Sequence, residues 1–288
     1  MSNKKKIILY ANAKRDDGLA ATKRVGEMLG DRGWETVICL PFGTADCGAY
    51  CGTEHTNLDE ELLDAEMIIT FGGDGTILHA ARAAASSKVP ILGVNLGGKG
   101  FLAELEPKDL GLIDDVAKGK YKIECRMMLD VEIHRESEAV YRDFALNDVV
   151  IRGDNKVIDL MLYGDGQRIT HFSGDGAVIA TPTGSTAYSM AAGGPIVEEA
   201  AENIIVTPIC AHVIKAKSFV LMSDRLVSIE LGQMKSNPAF ISVDGGSQQD
   251  IQSGDVIEVY KSERYTRLVR LSNKSFYKRV SEKLGERP

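Results

Sequence analysis

The chain has 288 residues, 44% of them hydrophobic and 26% charged, with a formal net charge of −7. That length can bury one large core or two, and the composition is that of a folded globular protein rather than a disordered or fibrous one. The acidic balance argues against a nucleic-acid partner, whose phosphates need clustered Lys and Arg.

The four apolar residues Ile7–Tyr10 that follow Lys4-Lys5-Lys6 are too few for a signal peptide, and no run reaches the length of a membrane span. Five cysteines in a chain this long point to a reducing compartment. A cytoplasmic protein without a membrane partner is expected. Residues 6–10 read as a buried strand, Leu19 to Leu29 as a helix ended by Gly33, and Glu35–Leu40 as a second strand. Pro41 to Asn57 lacks periodicity and reads as a surface loop. Within it Cys47, Cys51 and His55 recur every four residues, but the glycines around them make a poor helix, so loop thiols are expected rather than a metal site.

A short helix at Leu58–Asp64, a strand at 67–71, a helix from Thr76 to Ser86, a strand at Val89–Asn95 and a helix at Pro107–Lys118 follow. Alternating strands and helices predict a parallel sheet with helices on its faces, whose ligands lie at the carboxyl ends of the strands. After about Gly119 the pattern alternates in twos: Tyr121–Leu129, Asp130–His134, Val140–Ile151, Val157–Tyr163, Leu226–Leu231, Ala239–Val243, Val256–Tyr260 and Thr266–Leu271. The expected fold class is therefore an α/β N-terminal domain over 1–118 and a β-rich, sandwich-like C-terminal domain over 119–272. A helix at Ser275–Leu284, within 273–288, is expected to return to the first domain.

Three stretches carry chemistry. The apolar run Met67–Phe71 breaks into Gly72-Gly73-Asp74-Gly75-Thr76, a strand–turn–helix junction. Its glycines are expected to turn with positive φ, and its helix start offers free N–H groups and a positive dipole end to phosphate. Asp74, a fixed negative charge inside an anion seat, makes sense as a base acting beside the phosphates. A helix N-cap is the alternative, though four turn residues exceed what capping needs. A second glycine turn, Leu96-Gly97-Gly98-Lys99-Gly100-Phe101-Leu102, should open on the same edge. In the β-rich half, Asn147 and Asp148 interrupt the apolar run Ala145–Ile151, where an unpaired polar group is costly. An amide donor beside a carboxylate suits the vicinal hydroxyls of a ribose, and a polar turn is the alternative. The third stretch, Ser173-Gly174-Asp175-Gly176 to Thr181-Pro182-Thr183-Gly184-Ser185-Thr186-Ala187-Tyr188-Ser189, is hydroxyl-rich and uncharged in its turn. Tyr188 offers a flat face for a base. No nucleophile elbow, HExxH or P-loop occurs.

On Gly72–Thr76, Gly93-Val94-Asn95 with Gly100-Phe101-Leu102, Asn147-Asp148, Asp175-Gly176 and Thr181–Tyr188, the chain resembles the NAD kinase family over nearly its whole length. The first motif is shared with lipid kinases and phosphofructokinases; the last, in this order, is specific. The resemblance implies transfer of a phosphoryl group from ATP to the adenosine 2′-hydroxyl of NAD in the cleft between the domains, with Asp74 as proton acceptor. It implies that Gly75 and the amides of the turn made by Gly72, Gly73 and Thr76 lie against phosphates, with His79 one turn on. Asn147 and Asp148 would hold ribose hydroxyls and phosphate, and Ser173 and Asp175 one end of the dinucleotide. Thr183 and the run Thr186, Ala187, Tyr188, Ser189, Met190, Ala191 would enclose the adenosine. Mg²⁺ or another divalent cation would arrive with ATP rather than in a dedicated protein site, and the assembly would be a homodimer or homotetramer in which a neighbour lends part of a site.

This chain departs from the family in three places. Asp148 stands where most relatives carry Glu, Ser173 where they carry Arg or Gly (a position bearing on NAD against NADH), and Gly245-Gly246 follows Asp244 where some place Gln. The rival functions are phosphorylation of another alcohol, such as a lipid, which predicts an apolar groove in the β-rich half, and a catalytically silent dinucleotide sensor.

Overall fold

The computed structural model describes residues 5–40, 56–98, 100–212, 217–232, 239–272 and 274–285. The chain forms two compact units, Met1–Cys125 with Thr266–Pro288, and Arg126–Tyr265. Cys47, Cys51, His55 and Lys99 lie outside the described residues.

The first unit runs β1 (Lys6–Ala11), α1 (Ala20–Gly30), β2 (Glu35–Cys39), α2 (Leu58–Glu61), β3 (Ala65–Gly72), α3 (Asp74–Ala84), β4 (Ile91–Asn95), a 3₁₀ turn (Pro107–Leu112) and α4 (Ile113–Ala117). The strands pair in parallel in the order β2-β1-β3-β4. All six residues of β1 and the last six of β3 are buried. Such continuous burial is why these strands read as unbroken apolar runs. Ile7, Leu9, Ile69, Leu92 and Val94 meet Val25 and Leu29 of α1 and Ile113 and Val116 of α4 in one core. Ala11 is level with Phe71, and Gly72 with Asn95, so the segments after β1, β3 and β4 all leave the sheet at one edge. Pro107–Lys118 is not one helix. A 3₁₀ turn containing Gly111 comes first, closed by a capping box between Glu106 and Asp109.

The second unit holds β5 (Lys122–Arg135), β6 (Glu138–Ala145), β7 (Asp148–Gly153), β8 (Ile158–Gly164), β9 (Gln167–Gly174), β10 (Gly176–Ala180), a 3₁₀ turn (Gly184–Thr186), α5 (Tyr188–Ala191), β11 (Asn203–Ile209), β12 (Phe219–Met222), β13 (Val227–Leu231), β14 (Ala239–Val243), β15 (Gln249–Ile251) and most of β16 (Val256–Arg270). One antiparallel sheet has the order β12-β11-β10-β7-β14-β15, the other β6-β5-β16-β13-β8-β9. Their inner faces share a core that includes Val131, Val149, Ile151, Leu160, Ile179, Ile229, Ile241 and Ile257. The outer face of the first sheet carries Val150, Val178, Ala180 and Ile205, covered by Tyr188, Ala192 and Val197. At the end of β16, Leu268 pairs in parallel with Ile91, and α6 (Phe276–Leu284) follows in the first unit.

Four expectations are corrected here. Tyr121–Leu129 and Asp130–His134 form one long strand, β5, and Val256–Tyr260 and Thr266–Leu271 likewise fuse into β16. Val140–Ile151 is not one strand, because it breaks at Leu146-Asn147 into β6 and β7. The turn Gly72-Gly73-Asp74-Gly75 has no positive φ. Instead, Gly72 is needed for contact, since a Cβ there would collide with the Thr76 side chain.

Candidate active site

In the first unit, Asp74 is the first residue of α3, directly after β3. It does not cap the helix: Gly73 is the N-cap residue, and among the described residues there is no side-chain cap hydrogen bond. The Asp74 carboxylate turns to the second glycine segment instead, where its oxygens accept from the backbone N–H of Phe101 (2.8 Å) and Leu102 (3.2 Å). Gly100 makes this approach possible, because a Cβ there would lie 2.6 Å from Asp74 Oδ1. Burial pushes the Asp74 carboxyl above its ordinary value, and the amides of Phe101 and Leu102 with the charge of Lys283 only partly offset it. The two glycine stretches therefore form one device around a single acid.

Thr76 is buried with its hydroxyl against Gly72, and its N–H is bonded to the Gly73 carbonyl at 2.9 Å, so it shapes the turn from within. Gly73 and Gly75 are different. A Cβ at either would meet nothing within 4 Å, and neither has positive φ. Gly73, extended at the N-cap, occupies a position that glycine favours, whereas glycine at position 75, inside the first helical turn, costs about 0.5–1 kcal/mol relative to Ala. No neighbour in this unit calls for it, which leaves close approach by a ligand as the physical reason. His79 stacks on Tyr10 with ring centroids 5.8 Å apart, and its Nδ1 faces the Tyr10 hydroxyl. Partial desolvation and then the charge of Arg82 hold its imidazole below the ordinary value.

At the same sheet edge a cavity of about 710 Å³ is lined by Arg15, Asn95, Gly97, Gly98, Glu106 and Lys283, among others. Asn95 builds its floor: Nδ2 donates to the Gly98 carbonyl (2.8 Å) and Oδ1 accepts from Gly97 N–H (3.1 Å).

In the second unit, the two-residue period of β7 puts Val149 and Ile151 into the core and Asp148 and Val150 on the outer face. Asp148 lies opposite Ala180 and is only 5% exposed. Burial first, and then the nearby Asp244 carboxylate, push its carboxyl up to about 7, while the Tyr188 N–H pulls it down. The Asn147 side chain makes no hydrogen bond to any described residue. The hydroxyl turn packs on its backbone: Thr181 N–H donates to the Asn147 carbonyl (2.9 Å), and a Cβ at Gly184 would collide with that same oxygen. Thr181 Oγ1 donates to the Leu146 carbonyl (2.6 Å), Ser185 Oγ to the Pro182 carbonyl (2.7 Å), and Ser189 Oγ pairs with Thr207 Oγ1 (3.0 Å). Those hydroxyls are occupied in building the turn. Thr186 Oγ1 donates to the Thr183 carbonyl at 3.2 Å. Tyr188 lies with part of its ring on the sheet, beside Ala187 and Met190, which are half-buried, and Ala191, which is exposed.

Asn147, Asp148, Thr183, Thr186 and Tyr188 thus come together at one end of β10. Ser173 and Asp175 do not join them. They precede β10, a five-residue strand spanning about 17 Å, and Ser173 Oγ donates to Asp159 there.

Two family models match the chain, the ATP-NAD kinase N-terminal domain over residues 12–121 and the ATP-NAD kinase C-terminal domain over residues 146–271. The chain belongs to the NAD kinase family. An NAD kinase from Natranaerobius thermophilus is 38% identical over 283 residues, covering 96% of both chains. One from Ruminiclostridium cellulolyticum is 34% identical over 290 residues, covering 98% of this chain and 99% of the other. Among solved structures, yeast NADH kinase complexed with NADH has a TM-score of 0.86 at 24% identity over 98% of this chain and 88% of that one, a likeness of fold. An NAD kinase from Archaeoglobus fulgidus in complex with ATP has 0.72 at 26%, over 97% of each chain.

For this NAD kinase family member, three supports escaped the sequence reading. Asp244 accepts from three successive amides, those of Leu146 (2.7 Å), Asn147 (2.7 Å) and Asp148 (3.0 Å), and this capture ends β6 and starts β7. An Asp-Gly-Gly after a strand is a visible signal for such a turn, and Asp244 does take φ 48°. Arg126 and Glu199 form a wholly buried ion pair at 2.7 Å, and Arg126 Nη1 also donates to Thr183 Oγ1 at 3.4 Å. Breaking such a pair leaves an uncompensated buried charge, so it fixes the turn more than it adds stability. Arg15 and Lys283, both on the cavity, carry no motif.

Proposed function

We propose that Asp74 is the general base with which this member of the NAD kinase family carries out ATP-dependent phosphorylation of NAD. A ribose hydroxyl is a weak nucleophile. As its oxygen bonds to the γ-phosphorus of ATP, its proton passes to the Asp74 carboxylate and the bond to the β–γ bridging oxygen breaks, leaving NADP and ADP. The observation that carries this reading is Asp74 itself: a carboxylate at a helix start, pinned by two amides without a direct ion pair, and followed by a glycine, Gly75, that packing does not require. Proton removal by a positioned carboxylate contributes about 10²–10⁴-fold.

The donor phosphates are assigned to the amides of the Gly73–Gly75 turn and to the cavity beside Asn95 and Gly98. Asn147 and Asp148 are assigned to ribose hydroxyls, with Thr183 and Thr186–Ala191 around the adenosine and Tyr188 against its base. A carboxylate that accepts from vicinal hydroxyls needs little side-chain length when it stands on a buried strand, as Asp148 does. Among the described residues no group of three or more His, Cys, Asp or Glu could hold a metal ion. A divalent cation held mainly by phosphate oxygens and water fits that donor set, and it supplies charge neutralisation at the phosphates. Ser173 and Asp175, at the far end of β10 from Asn147, fit a homodimer or homotetramer in which they serve a neighbour's dinucleotide. No helix among the described residues is long and apolar enough to cross a membrane, and the cytoplasm is the proposed location.

Asp74→Asn keeps size and shape while removing the base. It should leave NAD binding within about twofold and lower kcat by roughly 10²-fold or more. Calorimetric titration and a coupled NADP assay read the two quantities, and a variant turning over at wild-type rate would end the assignment.

A further inference from the structure

The cavity at the edge of the parallel sheet is walled in part by the C-terminal helix, through Glu282, Lys283 and Gly285. That helix starts at Ser275, whose hydroxyl accepts from Lys278 N–H at 3.3 Å, and none of its residues is buried. Core packing therefore does not hold it at the cavity.

The charges around the cavity are unequal. Its two acids are already served: Glu106 pairs with Lys108 at 2.8 Å, and Glu282 lies 3.8 and 4.0 Å from Lys274 and Lys278. Its two cations are not. Lys283 and Arg15 make neither an ion pair nor a hydrogen bond with any described residue. The same cavity is lined by Gly97-Gly98, where a Cβ on Gly98 would touch nothing. Two cations without a direct ion pair, Lys283 acting only at longer range on Asp74 and Glu106, over a floor of glycine make a receptor for an anion, and about 710 Å³ exceeds what an inorganic phosphate requires.

We infer that Lys283 binds the phosphates of the donor nucleoside triphosphate, making the C-terminal helix part of the donor site. This rests on the reading of Asp74 as a base working beside ATP. Lys283 also acts on Asp74 electrostatically, pulling its carboxyl down. A charge felt at the base belongs at the reacting end of the triphosphate. The same chemistry could serve the pyrophosphate of NAD, and the experiment separates the two.

ATP·Mg²⁺ and NAD are titrated separately into the full-length wild type, Lys283→Met and Lys283→Arg, and KM is measured for each substrate. The Met variant should bind ATP·Mg²⁺ about tenfold or more weakly, the loss expected for one charge-assisted hydrogen bond, with NAD affinity unchanged. Arg should restore ATP binding to within about threefold, because it keeps the charge. The acid limb of kcat/KM should move to higher pH in the Met variant only; Asp74 is faced there by the amides of Phe101 and Leu102 and by Lys283, with Arg15, Glu106 and Glu282 also on the cavity. Unchanged ATP binding in the Met variant overturns the inference, as does weakening confined to NAD or equal weakening of both substrates without rescue by Arg. Wild-type chain that binds ATP·Mg²⁺ but fails to phosphorylate NAD overturns the function instead, while the binding titration still reads Lys283.

Discussion

Asp244→Asn removes one charge and little else. Asp244 sits at φ 48°, a conformation Asn tolerates as well as Asp does, so the backbone gains no strain. In the wild type one carboxylate takes the N–H groups of Leu146, Asn147 and Asp148 at 2.7, 2.7 and 3.0 Å. An Asn Oδ1 can keep the pair from Asn147 and Asp148, which share one oxygen. Its Nδ2 then confronts the Leu146 N–H, donor against donor. One charge-assisted bond is lost with an N–H left unsatisfied, about 1–3 kcal/mol, and two others fall from charged to neutral strength, roughly 1 kcal/mol each. The expected destabilisation is roughly 3–5 kcal/mol, a large share of a typical domain's stability. Urea unfolding followed by far-ultraviolet circular dichroism measures it, since the single tryptophan, Trp34, lies in the other unit. Amide exchange at 146–148 should accelerate in parallel. Because the Asp244 charge is one of two causes raising Asp148, the Asp148 carboxyl should titrate lower in the variant. A variant with the wild-type urea midpoint at equal m-value, and with those amides still protected, would refute the clamp.

Asp148 makes stability depend on pH. Its folded value of about 7 stands above the unfolded value of about 3.9, so the folded chain holds the proton more tightly, and stability falls as pH rises from about 4 to about 7. Asp148→Asn should flatten that fall and leave the unliganded variant more stable than wild type at pH 8; equal urea midpoints for the two proteins at both pH 5 and pH 8 would contradict it. Two glycines should separate folding from binding. Gly75→Ala meets open space and should keep or raise Tm, by about 0.5–1 kcal/mol of helix propensity, while raising KM for ATP. Gly184→Ala drives a methyl into the Asn147 carbonyl and should lower Tm and NAD affinity together, as thermal melts and titration would read.

Much of the first unit is legible because parallel strands buried on both faces write themselves as apolar runs: Ile7–Tyr10, Met67–Phe71 and Ile91–Val94 are such runs. The strand–turn–helix junction at Asp74 was legible for the same reason. Its clamp was not, since the partners are backbone amides 27 and 28 residues away, and an amide has no residue signature. The break between β6 and β7 was hidden likewise, because the residue that makes it is 96 to 98 positions downstream. β11 went unread although Ile204–Val206 is fully buried. Pro208 argues against a strand there, but it lies beyond Val206, the last residue paired with β12, where its missing N–H breaks no bond to that neighbour. The hydroxyl turn was recognised as a unit, yet its composition alone does not tell ligand groups from scaffold. Thr181, Ser185 and Ser189 are scaffold by their hydrogen bonds, and the hydroxyls of Thr183 and Thr186 also have partners within the unit, in Arg126 and the Thr183 carbonyl, so the hydrogen bonds alone do not mark out ligand groups.

The way Asp74 is held bears on its proposed role as a base. A cationic partner would also orient a carboxylate, but it would strongly favour the ionised form and weaken the base. Backbone amides fix the same orientation with less neutralisation, and here burial outweighs them, so the carboxyl stays above its ordinary value. Each carboxylate oxygen has two lone pairs, so two amide bonds leave two acceptor positions for a hydroxyl proton. The second glycine segment, which looks like a separate phosphate loop in the sequence, is required by this arrangement. Only a residue without a side chain at position 100 lets the amides of 101 and 102 reach the acid. In the proposed reading Lys283 is both a donor ligand and a modulator, because a charge brought in on a helix without buried residues adjusts the Asp74 carboxyl without binding it. The chain thus sets the basicity of Asp74 by burial, its direction by amides, and its final adjustment by a lysine near the chain's end.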